Sequence, residues 1–296
     1  MQDGLQYLIP SSVDEAIALR RQAGANGRFI AGGTEIVPRM SRGEITPSCL
    51  IELTRLPELR VLEADARGLR IGAMATHADI QRSPLTKGPY QAMTDASGSI
   101  RPQQVINLGS VGGNIAYGMP SADLVPPLLV LDATLLIRGA SGEREVPLSD
   151  FMIAPYQTRM EDGDVLVEIR VPKIGAGYAS AFGKISKNQN LGIAYASVAV
   201  ALTLRDGRIH DARVAMGAAA PVPRRVAAAE EFLMGKVPDA AVLREAGQLV
   251  SAAAKPREDS RRASPYYKRR VLVPLTERAI MSAVERVQGR PVGEKQ

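Results

Sequence analysis

A chain of 296 residues is long enough for two domains. Hydrophobic residues make up 45% and charged residues 23%, which excludes disorder and fibrous structure, and no apolar run approaches the ~20 residues that cross a bilayer. The net charge is +6, yet aromatics are only 4%, tryptophan is absent and the basic residues are spread along the chain, so a nucleic-acid surface built on base stacking is not supported.

In chain order, residues 5–9 read as a short strand ending at Pro10. Ser12-Val13-Asp14-Glu15 fits a capping box, and Ala16, Ile17, Leu19 and Ala23 supply the apolar positions of a following helix. Gly24 to Gly27 closes that helix. Phe29-Ile30-Ala31 is a short apolar strand that runs into Gly32-Gly33, with a short helix from Thr34. These elements predict a small parallel α/β subdomain ending near Leu53. Two short strands follow in 59–72 around Ala66-Arg67-Gly68, then helices over 76–82 and 88–98. A second glycine turn is expected at 109–113. Leu124 to Leu131 is apolar, and 134–138 and 165–171 read as strands. Pro172 and Gly175-Ala176-Gly177 punctuate the chain, and a domain boundary is expected there.

The remainder changes rhythm. Residues 178–186, 194–205 and 208–219 predict three antiparallel strands, the last two joined by Asp206-Gly207, a strong hairpin signal. Helices follow over 225–235, 239–254 and 264–288. In the last, Val271, Leu275, Ala279 and Val287 share one face. The expected fold class is α+β.

The two segments Phe29-Ile30-Ala31-Gly32-Gly33-Thr34-Glu35-Ile36 and Ser110-Val111-Gly112-Gly113-Asn114 carry the chemistry. Paired glycines let the backbone turn sharply and approach a ligand closely. Successive N–H groups form an anion nest suited to a pyrophosphate. Thr34, Ser110 and Asn114 add donors, and Asp123 offers an acceptor for sugar hydroxyls. Neither segment gives G-x-G-x-x-G or a P-loop, which disfavours Rossmann and phosphoryl-transfer readings.

Extended to Pro120-Ser121-Ala122-Asp123, these segments resemble the two FAD-contacting loops of the xanthine dehydrogenase flavin domain and of the stand-alone medium subunits of carbon monoxide dehydrogenase and related molybdenum hydroxylases. Ala218-Ala219-Ala220-Pro221-Val222-Pro223-Arg224 and Arg262-Ala263-Ser264 are similar to that family's C-terminal domain. The resemblance implies a vanillyl-alcohol-oxidase-like (PCMH-type) FAD-binding domain over 1–175, in α/β subdomains of about 1–55 and 56–175. A small α+β CO-dehydrogenase-flavoprotein-like domain over 176–290 would follow.

Carried over residue by residue, it implies that Phe29 to Ile36 wrap the flavin and pyrophosphate. Ser110, Val111, Gly112, Gly113 and Asn114 would cover the other side of the diphosphate, and Asp123 would bind ribityl or ribose hydroxyls. Leu166 and Lys184 would line the isoalloxazine region. Ile100 stands near the ring where the family can carry an aromatic, which weakens any stacking there. Ile106 replaces a basic residue often seen before the second loop.

Simpler readings stand beside these. Asp123 could cap the segment from Leu124, Leu166 could pack in a core strand, Lys184 could sit exposed on a strand edge, and Glu35 could be a first-turn acid favoured by the helix dipole. His77 and His210, in neither glycine segment, are expected to be structural or exposed, so the FAD is expected to be non-covalent. Arg261-Arg262 with Lys268-Arg269-Arg270 suggests a solvated face or subunit contact.

The single cysteine, Cys49, excludes a disulfide framework and an iron–sulfur cluster held by this chain alone, and reads as a small buried hydrophobe. Two histidines make a histidine-rich metal site unlikely on composition. The resemblance implies that a large partner holds a molybdenum cofactor and a small partner two [2Fe–2S] clusters, as a dimer of heterotrimers. Electrons would then pass to FAD here and on to NAD or another acceptor. An N-terminus without a signal-peptide pattern suggests a cytoplasmic location. The alternatives are an autonomous flavoenzyme of the same fold, resembling the UDP-N-acetylmuramate dehydrogenases, and a basic nucleic-acid-binding module.

Overall fold

The computed structural model describes residues 4–175, 177–188, 191–260 and 262–289. Residues 1–3, Ala176 of the expected boundary and Arg261 of the basic cluster lie outside the described residues.

The first unit is a parallel three-stranded sheet in the order Gln6–Leu8, Cys49–Glu52, Gly27–Ile30. The central strand, Cys49–Glu52, is fully buried and escaped the sequence pattern because four residues are too few to show a period. The helix Val13–Ala23 packs Val13, Ala16 and Ile17 against Cys49 and Ile51. Its first turn is acidic (Asp14, Glu15) and its last basic (Arg20, Arg21), complementing the helix dipole. Ser12 caps it by accepting from the Glu15 N–H at 3.1 Å. The expected capping box closes differently, because the Glu15 carboxylate accepts from the N–H and hydroxyl of Ser11 rather than from Ser12. Cys49 is buried here, and burial pushes its thiol pKa up, so it stays a neutral packing group.

The second unit is a five-stranded antiparallel sheet in the order Leu62–Ala64, Gly68–Gly72, Val165–Pro172, Thr134–Gly139, Gly142–Pro147. The sequence reading missed Gly142–Pro147. It is an edge strand whose Glu143-Arg144-Glu145 run carries no apolar alternation, as edges often do. Between Gly72 and Thr134 the chain forms a helical layer that includes His77–Arg82, Gln91–Ser99, Gln103–Leu108, Val111–Ala116 and Val125–Val130.

One of those helices corrects an expectation. The second glycine pair is not a turn but the first turn of the helix Val111–Ala116, capped by Ser110, whose hydroxyl accepts from the Gly113 N–H at 3.1 Å. The glycines are there for packing. A Cβ on Gly112 would fall 2.5 Å from Ala73 Cβ and 2.7 Å from its carbonyl oxygen. The backbones lock at this contact, with Gly112 N–H donating to Ala73 O and Val111 N–H to Ala75 O, both at 2.8 Å.

The third unit is an antiparallel sheet in sequential order, Tyr178–Asn188, Leu191–Arg205, Arg208–Gly217, Arg224–Arg225. The three expected strands are present. Asp206 and Gly207 both have positive φ, 52° and 73°, as a two-residue primed turn requires. The fourth strand was not expected. Pro221 and Pro223 keep the chain extended, so Arg224 and Arg225 pair with Met216 and Ala215, and the helix starts at Ala227 instead of 225. The helices Ala240–Ala253 and Pro265–Val287 pack on the sheet through a core that includes Leu243, Val250, Leu272, Leu275 and Ala279. Arg286, near the end of the long helix, forks onto Asp95 of Gln91–Ser99 at 2.7 and 3.1 Å and donates to Ser180 O at 2.6 Å. This bidentate link fixes the strand that carries Lys184 against the middle unit. No described helix is long and apolar enough to cross a membrane.

Candidate functional site

The strand Gly27–Ile30 delivers the chain edge-on into Gly32-Gly33. Gly33 has φ +72°, a conformation that L side chains rarely adopt. Gly32 is required for a different reason. A Cβ there would lie 1.7 Å from Leu108 O, so the first glycine segment rests directly on the backbone that leads into Ser110. Gly32→Ala is therefore expected to push the two segments apart. It should cost about 1–3 kcal/mol of stability and strip flavin from the purified protein, as read by thermal unfolding and by absorbance at the flavin band.

Among the described residues, no protein acceptor receives the backbone N–H groups of Gly32, Gly33, Thr34 or Glu35. They are therefore free to meet a ligand, as an anion nest would require. The second segment differs. The N–H groups of Val111, Gly112, Gly113 and Asn114 are all spent on protein acceptors. Among the described residues, unspent N–H groups are thus found in one of the two segments only.

The two segments form walls of one cavity of about 660 Å³, within the range of cofactor sites. Of the residues proposed from the sequence, Phe29, Ala31, Gly32, Gly33, Thr34, Glu35, Ile36, Ile100, Ser110, Gly112, Gly113, Asn114, Asp123 and Leu166 line it. Ile30, Val111 and Lys184 are not part of the lining. Ile30 stands under the loop, 3.7 Å from where a Gly33 Cβ would be. Val111 is buried in the core of the middle unit. Lys184 is set behind Asp123, its Nζ donating to Asp123 Oδ2 at 2.7 Å and to Gly192 O at 2.6 Å.

Asp123 does not cap the helix Val125–Val130, whose N-cap, Leu124, has no side-chain cap. The Leu124 N–H instead donates to Asn114 Oδ1 at 3.3 Å, which ties the second segment to the stretch presenting Asp123. The Asp123 side chain is deeply buried, and Oδ1 has no hydrogen-bond partner. Burial pushes its pKa up to about 6, against the pull of Lys184. Lys184 lies on the edge strand Tyr178–Asn188, yet its side chain is only 6% exposed, so the exposed-edge reading does not hold. A register irregularity in Val165–Pro172, between Leu166 and Glu168, bends the strand where Val165 and Leu166 meet the cavity.

The sequence reading missed several wall residues. Tyr117 lines the cavity near Glu35, and burial together with that carboxylate pushes the phenol up to about 12. Arg101 also lines it, bonded to the Gly98 and Ile100 carbonyls and so available to an anion. His77 was expected to be structural or exposed, and of the two it is not exposed. It is a buried wall residue, brought there by an isolated bridge between Thr76 and Ser110 and by its N–H donating to Gly109 O at 3.1 Å. No local sequence signal marks it, because the contact joins segments more than 30 residues apart.

Burial, aided by the charge of Lys184, lowers the His77 pKa from 6.5 to about 4. The folded chain therefore holds this ring neutral while the unfolded chain takes up a proton, so the His77 contribution to stability is lost as pH falls from 6.5 towards 4. It amounts to about 3 kcal/mol at the acid end. Asp123, shifted upward, offsets this. The His77 share is expected to appear as a difference between wild type and His77→Leu in urea unfolding of the flavin-free chain at pH 7 and pH 4.5, with the variant losing less stability on acidification.

Amides left free among the described residues, a buried carboxylate with one unpartnered oxygen, and an Arg101 with no ion pair among the described residues suit a cofactor that carries a diphosphate and sugar hydroxyls, and FAD is such a group. Comparison with known proteins agrees. Residues 3–174 match the family described as the FAD binding domain in molybdopterin dehydrogenase. Residues 181–283 match the CO dehydrogenase flavoprotein C-terminal domain. The carbon monoxide dehydrogenase medium chain of Hydrogenophaga pseudoflava is 32% identical over 88% of this chain and 91% of that one. A putative xanthine dehydrogenase FAD-binding subunit of Escherichia coli is 28% identical over 98% and 99%. Among solved structures, a carbon monoxide dehydrogenase from Hydrogenophaga pseudoflava superposes with a TM-score of 0.91 at 31% identity, covering 97% of this chain and 99% of that one. Quinoline 2-oxidoreductase from Pseudomonas putida gives 0.88 at 29% identity, covering 96% and 97%. The architecture is that of a PCMH-type FAD-binding domain followed by the flavoprotein C-terminal domain. The chain belongs to the FAD-binding subunits of the molybdenum hydroxylase family, and is an oxidoreductase subunit of the carbon monoxide and xanthine dehydrogenase type.

Proposed function

We propose that this chain, loaded non-covalently with FAD, takes electrons from the [2Fe–2S] clusters of a small partner subunit and passes them to NAD or another acceptor. A large partner would hold the molybdenum cofactor and hydroxylate the substrate, with the whole assembled as a dimer of heterotrimers in the cytoplasm. The observation that supports this most is the cavity itself, where the segment Gly32 to Glu35, its amides free among the described residues, shares one enclosure with Asp123, held from behind by Lys184. In this reading the free amides and Arg101 hold the diphosphate, the Asp123 carboxylate accepts from a sugar hydroxyl, and Lys184 keeps Asp123 in place. Ile100 and Leu166 give apolar walls that exclude water from the ring.

The names of the relatives support the division between subunits, since several are called medium chains or FAD-binding subunits. Purification of the chain from its native host is the test. Two further chains should accompany it, with iron, molybdenum and FAD present, and the flavin band should bleach when the substrate of the complex is added. A solitary yellow chain that turns over substrate unaided would overturn the proposal.

A further inference from the structure

His77 is 3% exposed, and its ring is part of the cavity wall. The ring lies flat against Gly109: a Cβ on that glycine would sit 3.0 Å from Cδ2 and 3.4 Å from Nε2. Gly109 in turn lies beneath Gly32, whose added Cβ would be 3.2 Å from Gly109 Cα. His77 thus reaches the first segment through Gly109, lines the same cavity as Asp123, and lies close enough to Lys184 for that cation to act on its charge.

No hydrogen bond among the described residues engages either ring nitrogen, and Nδ1 is both unpartnered and sealed, whereas Nε2 is not sealed. Burial and Lys184 keep the imidazole neutral at pH 7, so it carries one N–H. A sealed N–H without an acceptor is the rarer and costlier arrangement, while a sealed lone pair is better tolerated. The proton accordingly belongs on Nε2.

We propose that His77 presents its Nε2–H to the bound cofactor as a hydrogen-bond donor, meeting an oxygen of the ribityl–diphosphate stretch of FAD. This rests on the assignment of the cavity to FAD. His77 then joins the amides of residues 32–35 and the Asp123 acceptor as a contact in the same cavity. Packing alone does not account for a histidine here, because an aliphatic side chain would fill the wall without burying an unpartnered nitrogen.

The test uses the full chain, stripped of flavin and titrated with FAD. His77→Leu fills the space without a donor and should weaken FAD binding roughly tenfold or more. His77→Gln can place an amide N–H near the Nε2 position and should stay within a few-fold of wild type. The chain has only one other histidine, His210, which is exposed on the strand Arg208–Gly217 and serves as an internal reference. In 15N-histidine-labelled protein, the Nε2 resonance of His77 should move on adding FAD while that of His210 stays. Wild-type affinity in His77→Leu, an equal loss in His77→Gln, or an unmoved Nε2 resonance with FAD bound would each overturn the proposal while leaving the FAD assignment standing. A wild-type chain that takes up no FAD would overturn both.

Discussion

Asp123→Ala should cost both the cofactor and part of the fold. Removing the carboxylate leaves the Lys184 ammonium, only 6% exposed, with the Gly192 carbonyl as its remaining partner. Breaking a buried ion pair from one side typically costs about 3–5 kcal/mol. The acceptor carboxylate at the cavity wall disappears at the same time, so the FAD dissociation constant should rise by roughly 10- to 100-fold. Chemical unfolding of the flavin-free chain reads the first effect, and flavin retained after extensive dialysis reads the second. Asp123→Asn keeps the shape and one acceptor and should fall between the two. Full occupancy in Asp123→Ala after dialysis would remove Asp123 from the site.

The same carboxylate predicts a pH dependence. Without cofactor its pKa is about 6. A hydroxyl donating to it favours the charged form and lowers that value in the bound state. FAD binding therefore releases protons, and affinity should weaken as pH falls below 6, with the dependence reduced in Asp123→Asn. Fluorescence titrations at pH 5 and 7 measure this directly.

The second large effect is expected at Lys184→Met. The substitution keeps the length of the side chain and removes its charge, leaving Asp123 buried without a cation. Asp123 escapes most of the penalty by holding a proton, so the stability loss should be smaller than for Asp123→Ala. The flavin is where the change should show. At a pH high enough to keep Asp123 ionised, the wall carries a net negative charge where the pair was neutral, so Lys184→Met should there lower the flavin potential by tens of millivolts, about 30 mV for each 1.4 kcal/mol of lost interaction. Spectroelectrochemical titration of the flavin-loaded chain reads the shift, and an unchanged potential would confine Lys184 to holding Asp123. Because the two side chains touch, the effects of Asp123→Asn and Lys184→Met should not add, and the double variant measures their coupling.

Much of the fold was legible from local chemistry. Ser12 and Ser264 announced helix starts, Asp206-Gly207 announced its hairpin, and the apolar periods of 178–254 gave strands followed by helices. What was illegible had non-local causes. Cys49–Glu52 is a strand because it has neighbours on both sides, and Gly142–Pro147 because an edge accepts charge. Gly112 and Gly113 were read as a turn because glycine pairs usually are one. Only the contact of Gly112 with Ala73, far back in the sequence, and that of Gly113 with its cap Ser110 reveal them as part of a packed helix start. The site follows the same division. The segments that line the cavity could be named from residue types, but the Asp123–Lys184 bond spans 61 positions and His77 arrives through Gly109, and neither leaves a trace in local sequence.

The wall of the cavity draws on all three units: the first glycine segment, the helical layer with Asp123, and Gly192 and Ile193 of the last sheet. A ligand held there fastens together parts that would otherwise separate on melting, and it has no matching site in the unfolded chain. Flavin supply should therefore set the lifetime of this subunit. At 100 times the dissociation constant, FAD adds about 2.7 kcal/mol to the native state, and the melting temperature should climb with FAD concentration. A host short of riboflavin would then lose this subunit to proteolysis, and supplementing the medium would rescue variants whose only defect is marginal stability.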